Sequence, residues 1–388
     1  MLMNSGTNDV TQSLPAGLVL LPLIMEEATR QLGICNSCRY CEGLCAVFPA
    51  LERRTLFEIG DVSQLANLCH DCRACFDSCM YTAPHEFDVN IPKLLSSFRV
   101  LDYKRYVWPR QVPRLFSGWI GVFSGALMSM LLIFLIAISH VGLSGLITKD
   151  SGPLSPYLLI SSGVLIILLS VPSLFSVVVM VVAGRKYWRE VGGTPNGLTL
   201  KIIGQSIWYA ATLRYLGGGG AGCYYPDDEK PEESRRTLHM LVAYGFGFCF
   251  VSTTAAAISQ DILGIEPPYP WISVPVISGV IGGIGLVIGC LGLLLLKVRS
   301  SHVTSVAEMT IKDYGLLIAL EFLALSGLAT LLTRSTSAFG IVFLIHLSAI
   351  VLAFAAAPYS KFVHVVFRFL ALLRDNFERA QLLKPSSK

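Results

Sequence analysis

Cys35-Asn36-Ser37-Cys38-Arg39-Tyr40-Cys41-Glu42-Gly43-Leu44-Cys45 is answered 34 residues later by Cys69-His70-Asp71-Cys72-Arg73-Ala74-Cys75-Phe76-Asp77-Ser78-Cys79. Each stretch carries four cysteines at 2-2-3 spacing. In a doubled run of this kind, three thiolates of one motif take three corners of a cubane and the fourth reaches the other cluster. The spacing therefore predicts one [4Fe–4S] cluster on Cys35, Cys38, Cys41 and Cys79, and a second on Cys69, Cys72, Cys75 and Cys45. Structural zinc normally takes two separated pairs of ligands, so four cysteines in a row, twice, point to cubanes. One detail departs from the usual run: proline does not follow the fourth cysteine directly but comes later, at Pro49 and Pro84. Cys223, Cys249 and Cys290 stand alone and read as unmetallated.

Outward from these motifs the chain changes character. Of 388 residues, 53% are apolar and only 14% charged, and the mean hydropathy is +0.61. A soluble domain carries about a quarter charged residues, so this balance describes a membrane protein. Residues 1–100 hold 7 Lys/Arg against 11 Asp/Glu, and the remainder 23 against 15. An acidic head on a basic membrane base suits docking of a basic partner protein and does not suit nucleic acid. Six apolar runs, near 117–138, 157–183, 237–259, 272–296, 313–333 and 340–362, are long enough to cross about 30 Å of hydrocarbon.

Lysine and arginine orient the spans. They collect in the connection after the second run (Arg185, Lys186, Arg189, Lys201, Arg214, Lys230, Arg235, Arg236), in that after the fourth (Lys297, Arg299, Lys312) and in the tail (Arg368, Arg374, Arg379, Lys384). The opposite connections are nearly free of them. Met1–Val10 has no positive n-region, and Gly17–Met25 is too short to span. Both termini and the cysteine head are therefore expected in the cytoplasm, where thiols bind metal rather than pair as disulfides. The organisation expected is a head over 1–100, an amphipathic connector over 101–116, six membrane helices over 117–362 with a long loop at 184–236, and a basic tail over 363–388.

Histidine is the second signal. His346 lies within the last run and His364 at its cytoplasmic end. On one continuous helix, 18 residues make five turns and about 27 Å, placing both on one face. Imidazole is an ordinary axial ligand of haem iron, and ionisable groups inside a span are functional candidates. His239, which begins the third span, is the expected partner of His364, and His140, which ends the first, that of His346. Arg235 and Arg236 then stand ready for haem propionates. Glu321 is an acid well inside a span. His70 and His302 read as surface residues, and His85 sits in Pro84-His85-Glu86-Phe87 close to Cys79. Gly217–Gly220 with Ala221-Gly222-Cys223 is a glycine-rich turn without the spacing of a nucleotide loop.

On the doubled cysteine motif, Pro84-His85-Glu86-Phe87 with Asn90-Ile91-Pro92, Gly217–Cys223, Arg235-Arg236, Tyr244-Gly245-Phe246 and Pro358-Tyr359-x-Lys361-Phe362-x-His364, the chain resembles the tricarballylate-utilisation protein B and citrate-utilisation protein CitB family. The likeness runs from Cys35 to the basic tail. The last motif is also similar to the haem-carrying b subunits of nitrate reductases and heterodisulfide reductases. Met240 departs from the family pattern, which often has a second histidine there. The resemblance implies a bacterial inner-membrane protein that takes electrons from an FAD-containing tricarboxylate dehydrogenase and passes them to quinone. The class expected is thus an all-α membrane domain with a ferredoxin-type α-helical head, two [4Fe–4S] clusters, one or two haems b, and quinone as acceptor in the lipid bilayer. The competing readings are a heterodisulfide-reductase-like redox subunit and a redox-sensing membrane transporter. No hydrolytic or group-transfer constellation appears.

Overall fold

The computed structural model describes residues 16–112, 118–147, 155–217 and 232–383. Residues 218–223 of the glycine-rich turn, Lys230, Lys384 and the connector beyond residue 112 lie outside them. Every regular element among the described residues is helical. The head contains α1 (Ala16–Cys38), α2 (Val47–Leu51), α3 (Ile59–Leu68), α4 (Ala74–Asp77) and α5 (Ile91–Arg105). Then come α6 (Gly118–Val141), α7 (Ser162–Glu190), a short α8 (Leu200–Ala211), α9 (Ser234–Asp261), α10 (Val274–Arg299), α11 (Ala307–Thr333), α12 (Phe339–Ala356) and α13 (His364–Leu382).

Six helices are long and apolar enough to cross a membrane: α6, α7, α9, α10, α11 and α12. Their outer faces carry large exposed apolar side chains such as Ile120, Phe123, Leu174 and Phe250, as lipid contact requires. The α9–α10 pair approaches closely through glycine. A Cβ at Gly245 would stand 2.9 Å from the Gly282 carbonyl, and one at Gly289 would stand 2.9 Å from that of Leu238. Small residues of this kind let membrane helices pack backbone to backbone. They fix the position of α9, and His239 with it.

The head and the membrane helices share one core. Leu32, Leu51, Leu65 and Phe98 of the head are buried in the same cluster as Tyr187 of α7 and Phe367 and Ala371 of α13. Tyr187 stacks on Phe367 with ring centroids 5.0 Å apart, and Tyr106 meets both edge-on at 5.6 and 5.8 Å. Such pairs contribute about 0.5–1.5 kcal/mol each beyond their burial.

One expectation is corrected here. The last span does not run on as helix to residue 364. It gives way to two 3₁₀ turns, Ala357–Tyr359 and Lys361–Val363, before α13 begins. Pro358 is the physical reason, because it has no N–H to donate and its ring clashes with the preceding turn. His346 and His364 therefore do not share the face of one helix. The stretch read as a basic tail becomes α13, whose inner face (Phe367, Ala371, Leu372) is buried in the head core.

Ion pairs lock that helix down. Arg53 reaches Asp375 at 2.5 Å and Glu378 at 2.9 Å, while Arg54 reaches Glu378 at 3.0 Å and Asp61 at 2.6 Å. Asp375 is wholly buried. Breaking a buried pair from one side strands the other charge, at about 3–5 kcal/mol. Arg54→Ala is accordingly expected to lower the unfolding free energy of the purified protein by about that amount. A loss below about 1 kcal/mol in denaturant titration would show the network to behave as a solvated surface pair.

Candidate functional site

The cysteine loops are shaped by where the helices stop. Cys35 and Cys38 lie on the last turn of α1, after which Arg39 takes a left-handed conformation (φ 56°) and swings Cys41 back. Cys69 is the extended residue that closes α3, and left-handed Asp71 (φ 54°) and Arg73 (φ 66°) fold the next turns so that Cys72 and Cys75 face it. Backbone N–H groups of Asp71 and Tyr81 point at the sulfurs of Cys69 and Cys79, each at 3.4 Å.

Two adjoining cavities result. Cys35, Cys38, Cys41 and Cys79 line the first, together with Tyr40, Met80 and Tyr81. Cys45, Cys69, Cys72 and Cys75 line the second, together with His70, Arg73 and Tyr215. Cys75 touches both. The first lies at the surface: Cys38 is exposed, and Tyr40 and Met80 are 66% and 64% exposed. No residue lining the second is exposed. Burial, with the neighbouring sulfurs, pushes the thiols of Cys35 and Cys45 up to about 12 and that of Cys41 up to about 11. Such crowded thiols ionise when a metal supplies the compensating charge.

Beneath the second cavity stand the histidines. His239 of α9 and His364 of α13 face each other with ring centroids 6.4 Å apart and ring planes at 84°. Two imidazoles that each hold a metal at about 2.0 Å from opposite sides have centroids about 6 Å apart, so the pair fits one iron between them. Nδ1 of His364 lies 2.6 Å from the Lys361 carbonyl. A carbonyl only accepts, so Nδ1 carries the proton and Nε2 is left as the ligand atom, the usual arrangement of a metal-binding histidine. Nδ1 of His239 is buried without a partner, as is Nε of Arg368 one turn beyond His364. Orphaned polar atoms at this depth and a surplus of buried cations suit an anionic macrocycle.

The charges around the pair are mostly positive. Lys361 and Lys297 share Asp313, the latter at 2.6 Å. Burial pulls the Lys361 ammonium down to about 8 although Asp313 holds it up, and burial, with the charge of Arg99, lowers Arg368 as well. Arg235 donates to the Asp71 carbonyl at 2.7 Å, and Arg236 to that of Thr212 at 3.0 Å.

The other expected ligands are not gathered in the same way. His346 is bonded through Nδ1 to the Ser326 hydroxyl at 2.9 Å and packs on Gly327. His140 is exposed at the end of α6, and among the described residues no ring contact joins it to His346. His70 is half-buried rather than exposed: burial, followed by the charges of Arg368 and Arg235, holds its imidazole well below the usual range, and His239 also acts on it. It stands between the inner cysteines and the histidine pair. Sequence reading missed Arg368, although its place four residues after His364 puts it on the same helix face. Arg99 was missed as well, since nothing in a helix of mixed pattern marks one arginine as buried.

Fold and site together define a multi-pass membrane protein with an iron–sulfur, Fer4-like head. Residues 28–105 match the family described as citrate utilization protein B Fer4-like domain, and residues 121–383 match citrate utilization protein B. A curated relative from Escherichia coli, "Citrate utilization protein B", is 36% identical over 355 residues, covering 91% of this chain and 92% of its own length. The chain belongs to the citrate utilization protein B family. No solved structure matches it.

The helix that presents Cys69 has a titratable brace. Asp102 of α5 accepts from Ser63 at 2.8 Å and from Asn67 at 2.7 Å, both on α3. Burial pushes its carboxyl from 3.8 up to about 7, against the pull of those two bonds. Within that window the folded chain keeps a proton that the unfolded chain has released, so stability falls as pH rises. Asp102→Asn should flatten this dependence, measured as unfolding midpoint against pH. An unchanged slope would assign the pH response to other groups.

Proposed function

We propose that the protein carries electrons from a reduced FAD-containing tricarboxylate dehydrogenase, through two [4Fe–4S] clusters and haem b, to membrane quinone. The observation that carries this reading is the sorting of eight cysteines into an outer and an inner foursome, with the inner one against the His239–His364 pair. Cys35, Cys38, Cys41 and Cys79 hold the outer cluster. Cys69, Cys72, Cys75 and Cys45 hold the inner one. Four cysteines in a row at 2-2-3 spacing, twice, suit a polynuclear cluster better than zinc, whose ligands normally come as two separated pairs. His239 and His364 hold haem b near the head end of the membrane. His346, bonded to Ser326, with His140 at the end of α6 is the site for a second haem.

When bound, these groups supply one-electron chemistry; the chain supplies ligation, burial and charge. The exposed rim of the outer cavity gives a partner access to Cys38 and Cys79. His70 and Arg368 stand between the inner cysteines and the histidines. Lys361 fixes the His364 tautomer. Lys361 and Arg368 are the cations nearest His364 for propionate carboxylates, whereas Arg236 is turned toward Thr212. The basic connections lie on the head side of the helices, which supports a cytoplasmic head and cytoplasmic termini in a bacterial inner membrane.

Iron beyond haem and acid-labile sulfide should each approach about eight per chain, as two cubanes require. Reduction should also give a b-type α band. His364→Ala or His239→Ala should abolish that band, or convert it to a high-spin form, with sulfide content retained, and should block quinone reduction while the clusters still reduce. Protein fully loaded with clusters that shows no Soret band yet reduces quinone would refute the haem assignment. Zinc at about two per chain with little iron would refute the clusters.

A further inference from the structure

The two cysteine foursomes have the same ligand type and number, but the fold gives them different electrostatic surroundings. Around the second, guanidinium groups are buried. Arg99 is 4% exposed and donates to the carbonyls of Ala66 at 2.9 Å and Cys69 at 3.3 Å. Arg368 donates to the same Cys69 carbonyl at 2.9 Å. Arg73, next to ligand Cys72 and 3% exposed, reaches the Ser300 hydroxyl at 2.6 Å and the Ser301 carbonyl. Among the described residues Arg99 and Arg368 are held by backbone carbonyls and by no carboxylate, and Asp71 is a nearby acid that offsets part of the Arg99 charge. Around the first foursome, Arg39 and Glu42 are exposed. Exposed charges are screened by water and salt, while buried ones are screened far less.

The geometry points to Arg99 and Arg368 as positioning residues that make the cluster on Cys45, Cys69, Cys72 and Cys75 the easier one to reduce, giving the wire a built-in direction from the surface inward. This rests on the two-cluster reading above. Reduction adds one negative charge to a cluster, and a fixed buried cation stabilises that charge. One electron leaves the outer cluster, which is oxidised, and enters the inner cluster, which is reduced. No bond is formed or broken, and the flavoprotein donor supplies the electron. A purely structural account, in which the arginines only cap the carbonyl end of α3, predicts no such asymmetry.

The test is a redox titration of the full-length, cluster-loaded protein followed by paramagnetic resonance. Cys38→Ser, at the exposed ligand, identifies the outer cluster's wave. The inner cluster should reduce first, with an electron favouring it at least tenfold, which for a one-electron couple is about 59 mV. Arg368→Gln and Arg99→Gln should lower the inner wave and leave the outer one in place, with iron and sulfide unchanged. Arg368→Lys, which keeps the charge, should restore most of the separation. If Arg99→Gln does not fold, the Arg368 pair of variants decides the matter alone. Coincident waves, a reversed order, or an inner wave unmoved by Arg368→Gln overturns the proposal. Wild-type iron and sulfide sufficient for only one cluster overturn the two-cluster reading itself, and this inference with it.

Discussion

Where the chain leaves the membrane at Pro358 it cannot remain an α-helix, and the arrangement of the site follows from that constraint. Two 3₁₀ turns redirect the backbone, and α13 then runs beneath the head instead of away from it. His364 opens that helix and faces His239. One turn on, Arg368 reaches the carbonyl of Cys69. Two further turns on, Asp375 and Glu378 grip Arg53 and Arg54. A single element thus touches the membrane histidines, a cysteine of the inner foursome and the far side of the head.

The same economy explains why the head is not a tethered module. Its core continues into Tyr187 of α7 and Phe367 of α13, so the inner cavity is held in register with the membrane helices by packing as well as by ion pairs. Close packing leaves such a junction little freedom to shift. For electron transfer that rigidity is useful, because the holding of carriers at fixed separations is what the protein contributes. The outer cavity lies at the opposite extreme, with exposed Cys38, Tyr40 and Met80 at its rim.

Much of this was legible in the sequence. The doubled cysteine motif marks the Fer4-like head, and hydropathy with length marks each of the six helices. His239 and His364 could be paired from their level in the spans. What failed was the inference of one continuous helix from His346 to His364, because hydropathy does not register a proline break that lies within an apolar run. His70 was misread since a polar residue between cysteines looks exposed in sequence, whereas the fold brings Arg368 of α13 and Arg235 and His239 of α9 close to it. The bonds of Arg99 and Arg368 to Cys69 left no trace for a related reason: their partner is a backbone carbonyl, which leaves no mark in a sequence.

The most direct test of the central claim is the low-temperature paramagnetic resonance spectrum of the oxidised, cluster-loaded protein. Imidazole planes held nearly perpendicular, as His239 and His364 are at 84°, give a strongly anisotropic low-spin ferric signal. The account predicts that signal in the wild-type protein and its loss in His239→Ala, with both cluster signals retained on reduction. A cluster-loaded protein without low-spin ferric iron, or one whose signal survives both His239→Ala and His364→Ala, would contradict it.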